Sequence, residues 1–198
     1  MTDAGRRALA IAVPLCALLL ALAAWLTHAR IASEERRHEL ALLASVLPPE
    51  IYDNDPLADR ITLVQREAFG TDAPATVLRA RRDGAPSAVV VDAVAQGYAG
   101  PIRLLVGVRM DGHVTGVRVV SHAETPGLGD VFATDGGRWL ASFRDRDAAT
   151  AWRVRKDGGD FDQFAGATIT PRAIVAAVER ARAWCATNRD ILFAPAAP

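Results

Sequence analysis

The feature that most restricts this chain is an unbroken apolar stretch near its start. Residues 8–27 run Ala-Leu-Ala-Ile-Ala-Val-Pro-Leu-Cys-Ala-Leu-Leu-Leu-Ala-Leu-Ala-Ala-Trp-Leu-Thr without one charge. A helix needs roughly 20 such residues to cross a bilayer. Trp25 lies where an interfacial aromatic belongs, and Pro14 is tolerable in a membrane helix. A cleaved signal peptide is the competing reading, with Arg6 and Arg7 as a basic start and Ala21-Leu22-Ala23 as a cleavage-like site. A signal peptide's apolar region is about 7–15 residues, whereas this run is longer and continues past Ala23. An uncleaved anchor is therefore expected. Arg6 and Arg7 favour a cytoplasmic N-terminus by a modest margin; Arg30, Arg36 and Arg37 at the other end oppose it, and Glu34 and Glu35 offset them only partly because acidic residues count little in the positive-inside rule.

The remaining composition narrows the class. With 198 residues and 51% apolar content, the chain can build one domain plus an appendage. Lys+Arg and Asp+Glu both number 23, and zero formal net charge argues against nucleic-acid binding. Only two cysteines are present, one inside the apolar run (Cys16) and one far along the chain (Cys185). They are not expected to pair, and neither has a Cys or His neighbour at metal-ligand spacing.

Residues 31–46 keep helical spacing and read as a helix running on from the anchor to Pro48-Pro49. Residues 51–59, with Asp53-Asn54-Asp55-Pro56, lack the spacing of a calcium loop and read as a solvated turn. From Thr76 the character becomes β. Residues 76–81 and 87–94 flank Asp83-Gly84, and residues 102–109 and 114–121 flank Met110-Asp111-Gly112-His113; Asp-Gly between apolar alternations marks a hairpin. Gln96-Gly97-Tyr98 and Gly100 read as a turn or bulge. A helix is expected within 131–143, a strand over 148–154, a loop at Gly158-Gly159 and a tail at 194–198. A helix is predicted over 171–188, with Thr170 as N-cap, Pro171 at its first position, and Ile174, Val175, Val178, Ala181 and Cys185 on one face.

Two segments carry more than packing. The first, His122-Ala-Glu-Thr-Pro-Gly-Leu-Gly-Asp130, follows a strand; Gly127 and Gly129 let backbone N–H groups approach a ligand. Taken alone it reads as a tight loop leaving a hairpin. The second, Asp162-Gln-Phe-Ala-Gly-Ala-Thr-Ile-Thr170, leads a glycine turn into a helix start, a natural phosphate cradle. It lacks the Gly-Lys-Ser/Thr of a nucleotide-binding phosphate loop. His122 and Glu124 could pair as base and orienter, but no nucleophile elbow accompanies them. His28, His38 and His113 read as surface residues, and no metal site is expected.

Together the two segments resemble those of the G subunit of the Rnf/Rsx ion-translocating electron-transport complex. The likeness spans nearly the whole chain, an N-terminal anchor followed by one FMN-binding domain. The C subunit of the sodium-pumping NADH:quinone reductase shares that domain, as does a nitrous-oxide-reduction regulator with additional membrane spans. The resemblance implies covalent FMN, joined through a phosphoester to Thr168 by a separate flavin transferase. Asp162, Gly166, Ala167 and Thr168 match the transferase motif, while Ala165 stands where Ser or Thr is usual. Thr170, Glu124, Thr125, Gly127 and Leu128 are the further cofactor-binding candidates, with Glu124 and Thr125 expected as polar contacts.

The resulting expectation is an α+β chain: an N-terminal transmembrane helix, then a single FMN-binding domain of antiparallel strands and flanking helices. Residues 1–30 would form the cytoplasmic N-terminus and anchor, 31–60 a membrane-proximal helix and linker, and 61–198 a domain on the periplasmic side of the inner membrane. Its partners would be the other subunits of the Rnf-type complex, the flavin transferase during maturation, and the membrane. It would act as a one-electron relay with no catalytic residues and no turnover in isolation, since cluster cysteines and a dinucleotide fingerprint are missing. The alternatives are a flavin-free membrane-anchored assembly module, a protein like the C subunit of the sodium-pumping reductase, and a freestanding secreted flavoprotein.

Overall fold

In the computed structural model, residues 3–194 are described; the side chains of residues 3–11, Arg6 and Arg7 among them, and of residue 29, and the tail from residue 195, lie outside that description. The chain divides into two compact units, Met1–Ala41 and Leu42–Pro198. The predicted anchor and the helix after it are one continuous element, α1 (Asp3–Val46). It stops ahead of Pro48, and a short 3-10 turn, Pro49–Ile51, follows. Within Ala12–Val46 a stretch of mean hydropathy 1.9 has none of its surface buried. Leu15, Leu18, Leu19, Leu22, Trp25 and Leu26 all face outwards. An isolated helix that is apolar on all sides is suited by length and composition to a bilayer.

The second unit is built on an antiparallel sheet whose strands lie side by side in chain order. These are β1 (Arg60–Leu63), then, after the one-turn helix α2 (Arg66–Phe69), β2 (Ala75–Arg82), β3 (Ala85–Gln96), β4 (Pro101–Arg109) and β5 (Val114–Ser121). The two predicted hairpins form for the expected reason. Asp83 and Gly84 both take positive φ, 51° and 76°, the geometry that matches the strand twist. Gly112 has φ 90°, and Asp111 accepts a hydrogen bond from the His113 N–H at 3.0 Å. The four-residue edge strand β1 is not anticipated by the sequence pattern; its ladder with β2, from Arg60↔Leu78 to Leu63↔Ala75, is what makes it a strand.

Side-chain alternation gives the sheet two covered faces. Val77, Val89, Val91, Leu104 and Val106 point into the larger core, while Ala80, Ala88 and Val90 point the other way, onto Leu43, Val46 and Leu47. Two glycines admit that second layer. Gly107 and Gly116 face each other across β4 and β5, and a Cβ on either would strike Val46: 2.5 Å from its carbonyl oxygen for Gly107, 2.8 Å from its Cα for Gly116. Thr115 then donates its hydroxyl to the Val46 carbonyl at 2.5 Å.

Three expectations change. The helix foreseen within 131–143 is two single turns, α3 (Val131–Thr134) and α4 (Arg138–Ala141). Gly136 and Gly137 break it with φ of 72° and 80°, and Asp135 restarts it by accepting from the N–H groups of Gly137 (2.7 Å) and Trp139 (2.6 Å). Residues 148–154 form no strand; Asp147 captures the Ala149 N–H at 3.0 Å in a local turn, and only Val154 bridges, to Phe161. The 51–59 segment is not merely solvated. Asn54 donates to the Arg79 carbonyl (3.0 Å) and accepts from the Arg81 N–H (2.8 Å), standing in for a neighbouring strand. The long helix α5 (Ile169–Thr187) buries the predicted face against the sheet, and α6 (Arg189–Leu192) follows. Cys185 lies in that face, where burial pushes its thiol up to about 12, leaving an inert core residue.

Asp59 clamps Arg79 and Arg81, the latter at 2.7 Å. Burial raises the Asp59 carboxyl pKa, but hydrogen bonds from Arg81 and Arg79 outweigh it and hold the group below its ordinary value. Asp59→Asn leaves Arg79 buried beside a neutral amide; the expected loss is on the order of 3 kcal/mol, read from the urea midpoint. An unshifted midpoint refutes the clamp. Asp111 behaves alike: burial opposes, but Arg109 and His113 hold its carboxyl at about 2. Both groups have depressed folded-state values, so their stabilisation is complete above the unfolded value, roughly pH 4, and disappears as pH falls through the folded one. The melting temperature should fall between about pH 5 and 2, and Asp111→Asn should flatten part of that fall.

Candidate functional site

Three segments meet at one end of the sheet: the turn between β3 and β4, the loop 122–130 leaving β5, and residues 162–170 entering α5. They enclose an open groove of about 260 Å³. Of the predicted residues, Glu124, Thr125, Leu128, Gly166, Ala167, Thr168 and Thr170 line it. Gly127 does not; with φ 75° it shapes the loop and donates its N–H to Asp130 at 2.6 Å. His122 does not either. Its ring stands edge-on against Phe132, with centroids 5.0 Å apart, in a separate cavity, so His122 and Glu124 form no base–orienter pair. Gly129, singled out for letting the backbone approach a ligand, does line it; the sequence reading missed Tyr98 and Ile169, which complete the lining. A tyrosine between glycines in a turn was the available signal, since Tyr98 is largely exposed.

Glu124 organises the groove. It is 5% exposed, yet each carboxylate oxygen is engaged. One accepts the Ala99 N–H at 3.0 Å, and the other accepts the Thr170 hydroxyl in a short hydrogen bond. Small residues leave room for it: a Cβ at Gly129 would lie 2.5 Å from Glu124 Oε2, and one at Gly97 would strike Oε1. The expected N-cap is thereby corrected. Thr170 gives its hydroxyl to Glu124 rather than to the helix, and α5 begins at Ile169 with Thr168 at the cap position. Pro171 falls to the third helical position, still in the first turn, where its missing N–H costs no bond.

Thr168 differs from its neighbours. The residue is half-buried in the groove wall, its hydroxyl has no hydrogen-bond partner among the described residues, and no side-chain cap is formed there. The N–H groups of Ile169 and Thr170 have no partner within the helix, so the positive end of α5 is aimed at the same place. Below it the loop is held by aromatic packing. Phe164 is buried against Trp139 at 4.8 Å, and Trp139 donates its indole N–H to the Asp162 carbonyl at 2.7 Å. Ala165 and Gly166 form the exposed tip of a tight turn closed by the Ala167 N–H on the Phe164 carbonyl (3.2 Å), with Gly166 at φ 77°. The Asp162 carboxylate stays exposed and meets Arg155 at 2.8 Å. Arg172 holds Asp157 through two bonds of 2.6 and 2.7 Å, keeping that carboxyl below its usual range and pinning the 155–157 turn to α5.

Chemically the groove offers an accessible hydroxyl, a favourable potential for an anion, and apolar walls from Tyr98, Leu128 and Ile169. It offers no base to activate that hydroxyl, because the Glu124 oxygens are engaged and no histidine or cysteine lines it. Among the described residues no cluster could hold a metal ion.

Residues 97–183 match the family model of the FMN-binding domain. The protein named as the G subunit of the ion-translocating oxidoreductase complex in Pseudomonas aeruginosa is 46% identical over 182 residues, covering 89% of this chain and 85% of the relative. Its namesake in Vibrio atlanticus is 41% identical over 196 residues, covering 96% and 93%. That of Cereibacter sphaeroides is 43% identical over 186 residues, covering 92% and 83%. Among solved structures, the crystal structure of Shewanella oneidensis NqrC covers 78% of this chain and 74% of its own, at 23% identity and a TM-score of 0.47.

Replacing Thr170 by valine keeps the shape and removes the donor to a buried carboxylate. We expect Thr170→Val to cost about 1–3 kcal/mol in denaturant unfolding and Thr170→Ser to cost much less. Equal stability of the two variants would show that the hydroxyl does not hold the groove together.

Proposed function

The chain belongs to the family of G subunits of ion-translocating oxidoreductase complexes, and from that premise we propose that it is a membrane-anchored electron-transfer protein with FMN attached to Thr168. The single observation that carries the site assignment is the free Thr168 hydroxyl. It stands at the start of a 19-residue helix, while the Glu124 carboxylate and the Thr170 hydroxyl beside it are already committed to each other.

The residues present fit the group. A phosphoester on Thr168 sets its anionic oxygens beside the unpaired N–H groups of Ile169 and Thr170 and the positive end of α5. Gly166 and Ala167 leave that approach open; a Cβ at Gly166 would already lie 3.0 Å from Leu128. Tyr98, Leu128 and Ile169 supply exposed apolar surface for a flat ring system, and Thr125 supplies a polar contact. Glu124 acts by holding the 97–100 turn and α5 in place, and Gly127 by shaping the loop. When attached, FMN supplies reversible one- and two-electron redox chemistry. The chain's part is to fix the flavin, shield it and present it to its neighbours.

Attachment needs an external catalyst, because nothing in the groove takes the proton from Thr168. We assign that step to a flavin transferase reading 162–168, whose Asp162 carboxylate and 165–166 tip are exposed. The transferase would take FMN from FAD, the bond from Thr168 Oγ1 to phosphorus forming as the pyrophosphate bond breaks and AMP leaves, with the hydroxyl proton passing to the transferase. Ala165 is exposed in that tip, so the absent hydroxyl removes no internal contact of the fold. We assign residues 1–30 to the cytoplasmic N-terminus and membrane anchor, 31–60 to the membrane-proximal helix and linker, and 61–198 to an FMN-binding domain on the periplasmic side of the inner membrane. The long apolar helix and the arginines at positions 6 and 7 support this arrangement. The other subunits of the complex are its redox partners.

The test is an intact mass of the full chain in detergent, co-expressed with a flavin transferase, beside Thr168→Ala. One FMN-sized increment is expected on the wild type and none on the variant. No increment on the wild type, with the transferase active on a second substrate, would replace the relay reading with that of a flavin-free assembly module.

A further inference from the structure

The sheet ends at β5, and the outer edge of that strand is only partly used. At Val114 it is closed: the Val114 N–H donates to the Arg146 carbonyl (2.9 Å), and the Asp145 N–H donates to the Val114 carbonyl (2.8 Å). From Gly116 to Ser121, among the described residues, backbone hydrogen bonds lead only to β4. Folded proteins usually protect such an edge, because its unpaired groups template another strand.

Here the edge faces a trench. Two cavities of about 130 and 370 Å³ lie along this stretch and share Arg118, Gly137 and Leu140. Gly136 and Gly137 leave the far wall bare: a Cβ on either would meet nothing within 4 Å. The charge is one-sided. Arg118 and Arg144 line the trench and no carboxylate does. Arg79, Arg81, Arg109 and Arg172 are each paired with an aspartate, whereas Arg118 and Arg144 have no ion pair among the described residues.

We propose that this trench receives an extended acidic segment from a different protein of the complex, added to β5 as a sixth strand. The unpaired backbone requires an extended chain, and the two free arginines select carboxylates. A second copy of this chain fits poorly, because pairing two β5 edges about a twofold axis sets Arg118 of each copy near Arg118 of the other. The surface is separate from the FMN groove but connected to it through His122, which ends the trench and opens the 122–130 loop. The inference goes beyond the flavin assignment and uses the family reading only for the existence of partner subunits.

The experiment places a photo-crosslinking phenylalanine derivative at Val120 in the complex assembled in native membranes, with the same label at exposed Val64 as background. Crosslinked peptides are read by mass spectrometry. The expected product is one segment of a different protein of the complex, with at least two carboxylates. Its yield should drop about tenfold in the Arg118→Glu, Arg144→Glu double variant, with flavin content on Thr168 unchanged. If that variant misfolds, Arg118→Gln with Arg144→Gln decides by the same drop. A crosslink to a second copy of this chain, a crosslink to lipid alone, no product from an intact complex, or a yield indifferent to the charge changes would each overturn the proposal. A charge-dependent crosslink from a complex whose Thr168 carries no FMN would count against the cofactor assignment and leave this one standing.

Discussion

A carboxylate removed from water must recover its lost hydration through hydrogen bonds, and the groove is arranged around that requirement. Glu124 comes from the loop after β5, its partner Ala99 from the turn before β4, and its partner Thr170 from the first turn of α5. Three segments distant in sequence are thus held by one side chain. The consequence reaches Thr168. Because Thr170 is drawn to Glu124, it does not cap the helix, α5 starts earlier, and Thr168 occupies the cap position with its hydroxyl unused. A residue available for modification results from its neighbour being committed elsewhere.

Close approach imposes a second constraint, on the opposite side of the sheet. Gly107 and Gly116 are needed because Val46 lies where their side chains would be. The chain leaving α1 therefore packs as part of the domain rather than as a loose tether, with Leu43, Val46 and Leu47 closing a small core over Ala80, Ala88 and Val90. This explains why β3 is buried on both faces around residues 88–91, and β5 over 114–117, while the edge strand β1 is not.

Charge is used differently in the two halves of the surface. Asp59, Asp111 and Asp157 each restrain one or two arginines and tie turns to strands or to α5. These pairs hold loops in register and leave the groove uncharged except for the engaged Glu124. Around β5 the pattern breaks, and cationic side chains stand without counterions beside unpaired backbone. Structural ion pairs and the unpaired edge are thereby separated in space.

Much of this architecture was legible in one dimension. An apolar run of helical length, two Asp-Gly turns between alternating residues, and the apolar face of α5 are local patterns whose outcome depends on a few neighbouring residues, and all of them formed. The candidate groove was legible through its two segments, because glycines beside polar residues ahead of a helix are unusual. What escaped depended on partners far along the chain. Strand β1 exists only through its ladder with β2, Asn54 docks only because Arg79 and Arg81 present backbone beside it, and Tyr98 reaches the groove only because β3 and β4 end there. The expected N-cap at Thr170 was overruled by a residue 46 positions away. The sequence by itself determined which segments become helix, hairpin and loop, because backbone dihedral preference and side-chain periodicity are local. Only the tertiary structure decided which hydroxyl stays free and which carboxylate is buried, because a hydrogen bond joins groups that the fold alone brings within 3 Å.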